Sequence, residues 1–205
     1  MANQTTPVRP HEAPSSADVR NTNRFSTREL VVCALLCALS ILLTLVEFPI
    51  LPAATWLKYD ASAMPAIIAG FAYGPAAGAA VGVVAAVGHG ILFADFSGAV
   101  MNIIVVTAFV VPSALIYRTK RTGLTEVVGL IVGGICMVAA AVVGNLIITP
   151  AWLGVPMNAV VAMIVPILIP FNALKAVLNA VLSGVIYRAV VALFDQKEPQ
   201  RPKSA

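Results

Sequence analysis

The sequence predicts an all-α membrane protein of six transmembrane helices with both termini on the cytoplasmic side. Two observations lead to that class. Hydrophobic residues fill 60% of the 205 positions and charged residues only 11%, a balance found in membrane-embedded chains. Of the 13 basic residues, all but Lys58 and Lys175 are also gathered rather than scattered: Arg9, Arg20, Arg24 and Arg28 precede the first apolar run, Arg118, Lys120 and Arg121 share one loop, and Arg188, Lys197, Arg201 and Lys203 follow the last. Cytoplasmic flanks collect Lys and Arg in this way.

A hydrocarbon core of ~30 Å needs about 20 apolar residues per helix. Runs near 29 to 48, 98 to 117, 124 to 149 and 161 to 194 meet that requirement. Charge decides the stretch between Ala63 and Ala94. If the amino terminus and the Arg118–Arg121 loop share the cytoplasmic side, an even number of spans separates them. The stretch is then two spans turning at Gly74-Pro75, the first, at about 61 to 73, short enough to require tilt or shelter. Residues 1–24, rich in Pro, Ser, Thr and Asn and without the apolar core of a signal peptide, are expected to form a solvated tail. The membrane domain covers 25–194, and residues 195–205 form a second tail.

Several function classes find no support. No phosphate-binding G-x-x-x-x-G-K-[ST] loop occurs, so the chain does not power transport by ATP unaided. The two histidines, His11 and His89, belong to no H-E-x-x-H or serine-histidine arrangement. Cys33, Cys37 and Cys136 lie within spans, and without accompanying His or carboxylate they read as small apolar helix residues. No resident cofactor or metal is expected. The net charge of +4 follows from the inside loops and tails, so no nucleic-acid partner is inferred.

Polar residues inside the apolar runs carry the functional signal. An ionisable side chain near the bilayer centre costs ~2.5 to 3.5 kcal/mol, so it normally faces a cavity or a partner. At about 100° per residue, Asn172, Lys175, Asn179 and Ser183 fall within a sector of about 80° on the last helix. Pro166 and Pro170 remove backbone donors just upstream and are expected to kink the entry. Asn145 and Asn102 reach a similar outer depth on two other helices. No acidic residue within the spans offers Lys175 a partner, Glu47 being the nearest alternative, so a ligand is the expected one. Helix-joining hydrogen bonds are the other account of these amides. His89 is either an interfacial structural histidine or a ligand contact. The loop from Phe48 to Asp60 starts rigidly with Pro49 and Pro52, then offers Trp56 and Tyr59 beside Lys58 and Asp60. It is either an interfacial aromatic belt or a lid over a pocket suited to a flat ring with a polar tail.

Four segments resemble, in order, the riboflavin-specific S component of energy-coupling factor (ECF) transporters: Trp56-Leu57-Lys58-Tyr59-Asp60, the run from Pro65 to Gly78, Asn145-Leu146-Ile147-Ile148-Thr149-Pro150, and Pro170-Phe171-Asn172-Ala173-Leu174-Lys175. The resemblance covers roughly residues 28 to 190. It implies a six-helix, multi-pass subunit of a bacterial-type cell membrane. Such a subunit captures riboflavin from outside, works with a transmembrane coupling subunit and two cytoplasmic ATPases, and topples in the bilayer to release the vitamin. It also implies that Asn145, Asn172 and Lys175 bind the vitamin's polar edge or ribityl chain under a lid at Trp56 to Asp60. Asn102 and Thr149 are further candidate contacts beside them, read from the residues. Small residues four apart, matching Ala34 and Ala38, would dock the coupling subunit, intramolecular packing being the other account. The region Gly88 to Gly98, with His89 and Asp95, matches no family motif. An S component for another vitamin and a membrane enzyme using Lys175 or His89 are the competing readings.

Overall fold

The computed structural model describes residues 26–195, with side chains up to residue 191. The expected tails lie outside the described residues, apart from Asp195, which ends the last helix. Helix α1 (Thr27–Thr44) begins at a capping box in which Ser26 Oγ accepts from the Glu29 N–H and the Glu29 carboxylate accepts from the Ser26 N–H. It ends earlier than the apolar run, because Leu45 to Ser62 leave the helix for a loop. Two short antiparallel strands, β1 (Phe48–Pro49) and β2 (Lys58–Tyr59), close that loop in the register Phe48 to Tyr59 and Pro49 to Lys58. A period-2 signal two residues long is invisible in sequence, so this hairpin is an addition to the expected all-helical plan.

Helix α2 (Ala63–Tyr73) is short and almost wholly buried, from Ala63 to Phe71. At 1.5 Å per residue its 11 residues reach about 16 Å, half a hydrocarbon core. Helices α1, α3 (Pro75–Phe93), α4 (Phe96–Lys120) and the last helix shelter it. The expected turn is present: Gly74 at φ 102° stops α2, and Pro75 starts α3 at its first turn. Gly78 lets the two helices touch, since a Cβ there would lie 2.7 Å from the Ala66 carbonyl oxygen and 2.7 Å from Gly70 Cα. Backbone cannot swing aside as a side chain can. Gly78→Ala is therefore expected to destabilise the fold by ~1 to 3 kcal/mol, seen as a lower thermal midpoint in detergent; an unchanged midpoint contradicts this contact.

Asp95 starts α4 by accepting from the Gly98 N–H at 2.8 Å. Arg121, in the left-handed region, ends α4, and a Thr122–Thr125 capping box starts α5 (Gly123–Leu153). Helices α4 and α5 form the most extensive pair, with Gly129 and Gly133 closing on Ser113 and Phe109. Ser113 Oγ donates to the Phe109 or Gly129 carbonyl in that seam.

The last rod starts four residues before the expected 161, because Pro156 leads into α6 (Met157–Met163). A π segment (Ile164–Leu168) joins it to α7 (Ile169–Asp195). Pro166 and Pro170 have no N–H to continue the usual ladder, and the Ile169 N–H reaches back five residues to the Ile164 carbonyl. The expected kink is thus a widened turn inside a continuous rod. Among the described residues, five helices are long and apolar enough to cross a membrane, and α2 is the shorter sixth. The core lies where α2, α3, α4, α5 and α7 meet, around Ile67, Phe71, Phe109, Val110 and Met137.

Candidate functional site

A cavity of about 260 Å³ opens at the end of the bundle where α1 finishes, α2 starts and α4 starts. Eight of the residues expected from sequence line it: Trp56, Lys58 and Asp60 from the loop, Asn102 from α4, Asn145 and Thr149 from α5, and Asn172 and Lys175 from α7. Tyr59 does not. Adjacent residues on a strand point to opposite faces, so with Lys58 and Asp60 turned to the cavity, Tyr59 is buried behind them with its ring 5.7 Å from Phe48.

Lys175 is 5% exposed. Its ammonium lies 3.3 Å from Asp60 Oδ2 and 3.4 Å from Asn102 Oδ1. This corrects the expectation that no acid serves it: the partner comes from the loop, not from a span. Glu47, the nearest alternative, is engaged by Lys58 and by His89 Nε2, the latter at 3.2 Å. An ammonium has three donors, so one N–H of Lys175 has no acceptor among the described residues. Asp60 is 4% exposed and also accepts from the Ser62 N–H at 2.9 Å.

The amides are partly self-satisfied. Asn145 donates to the Ala141 carbonyl at 2.7 Å and accepts from Thr149 Oγ1 at 2.8 Å. Asn172 donates to the Leu168 carbonyl at 2.8 Å, while its own carbonyl oxygen has no partner among the described residues. Each asparagine is thereby held in one orientation with hydrogen-bonding capacity left over. The lower half of the polar stripe behaves differently. Asn179 and Ser183 are 0% exposed and bond the carbonyls four residues back, Lys175 and Asn179, so they belong to the helix interior rather than to the cavity.

The loop is pinned over the cavity at three places. Asp60 holds Lys175, Glu47 holds Lys58 and His89, and Leu57 with Ala54 packs into an apolar cluster with Val160, Leu168 and Phe171. Trp56 meets Trp152 edge to face at 5.8 Å, so flat aromatic surface stands over polar amides. His89 and Asp95, left undecided by sequence, both line the cavity; Asp95 is occupied as the cap of α4. Glu47, Ser97 and Met101 line it too, brought there by helix ends that no single-helix pattern relates.

Burial works to raise the Asp60 carboxyl, but the Lys175 ammonium, helped by Ser62, outweighs it and holds the group below the usual carboxylate range. A depressed carboxyl stabilises the folded state above its unfolded value and loses that contribution as pH falls through the folded one. Loop closure is thus expected to be steady near neutrality and to weaken below about pH 4. Trp56 fluorescence followed against pH checks this, and Asp60→Asn should remove that part of the change; an identical profile in the variant excludes Asp60 as the origin.

The family model for the ECF transporter substrate-specific component matches residues 28–187. The chain belongs to that family. It is 29% identical over 171 residues to riboflavin transporter FmnP of Bacillus subtilis, covering 78% of this chain and 90% of that one. It is 27% identical over 176 residues to riboflavin transporter RibU of Staphylococcus aureus, covering 82% and 93%. A solved structure described as the S component of a bacterial ECF transporter superposes with a TM-score of 0.72 at 27% identity, over 82% of this chain and 97% of that one. This S component is accordingly a multi-pass membrane protein of a transporter family. On α1, Ala34 and Ala38 are exposed among the exposed Val31, Leu35 and Leu39, while Leu36, Cys33 and Cys37 turn to the core. The two alanines thus lie outside the core-facing stripe of α1.

Proposed function

We propose that this S component binds riboflavin in the cavity beneath the Trp56–Asp60 loop and delivers it as the substrate-specific subunit of an ATP-driven ECF transporter. One observation carries the reading: three asparagines and a lysine from three helices converge under an aromatic pair in a cavity closed by a pinned hairpin. The indole pair offers stacking surface to a flat ring. The spare carbonyl of Asn172 and the spare N–H of Lys175 offer an acceptor and a donor to a polar edge or a polyol. Acids and bases around the cavity nearly balance, with Glu47, Asp60 and Asp95 against Lys58 and Lys175, which suits a neutral ligand. The relatives named as riboflavin transporters support the choice of vitamin.

The cavity faces outward in this reading, because Arg28, Arg118, Lys120, Arg121 and Arg188 all sit at helix ends opposite to it. A transmembrane coupling subunit meets the exposed Ala34/Ala38 face, and two cytoplasmic ATPases supply the energy this chain has no phosphate loop to harvest. Purified from flavin-replete cells, the protein is expected to be yellow, and when stripped to quench its Trp56 and Trp152 fluorescence on adding riboflavin. A colourless protein whose fluorescence ignores riboflavin rejects the assignment.

A further inference from the structure

On the side of the bundle away from α1, helices α5 and α7 diverge to leave a cleft of about 1010 Å³, separate from the vitamin cavity and almost free of polar groups. Its floor is made of small residues, Gly134 and Ala173, Ala176, Ala180 and Gly184, which leave the space that larger side chains would fill. Its walls, Ile131, Ile135, Val177 and Val181, are exposed. From Glu126 to Val143 the α5 wall runs about 26 Å, close to the ~30 Å hydrocarbon thickness. Half of it matches one leaflet.

The mouth of the cleft at the α4–α5 turn is strongly polar. Arg188 donates through Nε to both oxygens of the buried Glu126, at 3.0 and 3.2 Å. That grip fixes the guanidinium while its side chain stays 58% exposed, and its two terminal nitrogens have no partner among the described residues. Nη2 lies beside Gly123, the first residue of α5, whose helix dipole favours an anion. Lys120 and Arg121 are exposed in the same turn, while Arg118 folds instead against Gly74. Three cations, Arg188, Lys120 and Arg121, thus stand with one neutralising carboxylate at this end of the apolar channel.

We propose that this cleft binds an anionic glycerophospholipid, with an acyl chain along α5 and α7 and its phosphate on the free edge of Arg188. Charge complementarity selects this occupant: basic pockets between transmembrane helices hold anionic headgroups, and the planar guanidinium edge matches two phosphate oxygens. A hydrophobic helix of another protein would fill the channel and leave these cations unanswered. The cleft shares no lining residue with the vitamin cavity and includes none of α1, so a lipid there leaves both of those faces open to their own partners.

The test is native mass spectrometry of the full chain titrated with phosphatidylglycerol or phosphatidylcholine of matched chains. The expected result is one retained lipid and about a tenfold preference for the anionic one. Glu126→Gln with Arg188→Gln, which removes the cation without stranding a buried carboxylate, should abolish the preference while riboflavin still quenches Trp56. Val181→Trp, which projects into the cleft and leaves the ion pair intact, should reduce retention of both lipids. Equal retention of the two lipids by the unaltered chain, or no change in either variant, overturns the proposal. So does a dimer that holds no lipid and is abolished by Val181→Trp, which assigns the cleft to a second copy.

Discussion

Lys175→Ala is expected to abolish high-affinity flavin binding and to loosen the loop that covers the cavity. Two effects act together. The ligand loses a charge-assisted donor at a desolvated site, a loss of ~1 to 3 kcal/mol when its polar partner is left unmet. Asp60, 4% exposed, also loses the ammonium that compensates its charge, and removing one member of a buried pair costs ~3 to 5 kcal/mol. Much of that second cost falls on the closed conformation, because Asp60 regains water when the loop lifts. Binding isotherms for Lys175→Ala, Asp60→Asn and the double variant separate the two effects. The double variant should recover loop stability, read from thermal unfolding, without recovering affinity. If Lys175→Ala binds riboflavin normally, the lysine serves only as a fastener for the loop. Asn172→Ala should weaken binding by ~1 to 3 kcal/mol with little effect on stability, since among the described residues its one side-chain bond is to the Leu168 carbonyl.

Replacing Ala34 and Ala38 by leucine is expected to leave riboflavin binding intact and to stop uptake. Both alanines lie on the exposed face of α1, one turn apart and absent from the cavity lining. Transmembrane helices associate closely where small residues let backbones approach. Two leucines would hold a partner helix away, at ~1 to 3 kcal/mol for each overpacked contact. Uptake by cells and co-purification with the coupling subunit should fall together, while fluorescence quenching of the purified chain stays as before. Normal uptake by the double variant places the docking face elsewhere. Cys33 and Cys37, one residue earlier on the same helix, make the control: they turn to the core, so enlarging them should affect stability instead.

Much of this was legible because its cause is local. Apolar runs of sufficient length identify spans in lipid, where an unpaired backbone group has no water to meet it. Gly74-Pro75 is a turn for reasons confined to two residues. That Asn172 and Lys175 share one face of α7 follows from helical period alone, and that this face turns away from lipid follows from burial cost. Other features depend on relations between elements. The two-residue strands are too short to show alternation. The π segment follows from two prolines, yet whether missing donors bend or widen a helix depends on what it packs against, here Leu57 and Ala54 of the loop.

By itself the sequence determined the membrane class, the number of apolar segments, the turn between α2 and α3, and which polar residues could not face lipid. Those conclusions rest on burial cost and on the period of one helix, both properties of a single segment. Only the tertiary structure decided how far the polar stripe of α7 reaches into the cavity, that Tyr59 turns away from it, that Ala34 and Ala38 remain uncovered, and that Lys175 meets Asp60 across 115 residues of chain. Helical period sets a side chain's direction about its own axis. The rotation of that axis against its neighbours is set by packing at close contacts such as Gly78 on Ala66, which couples residues with no pattern in common.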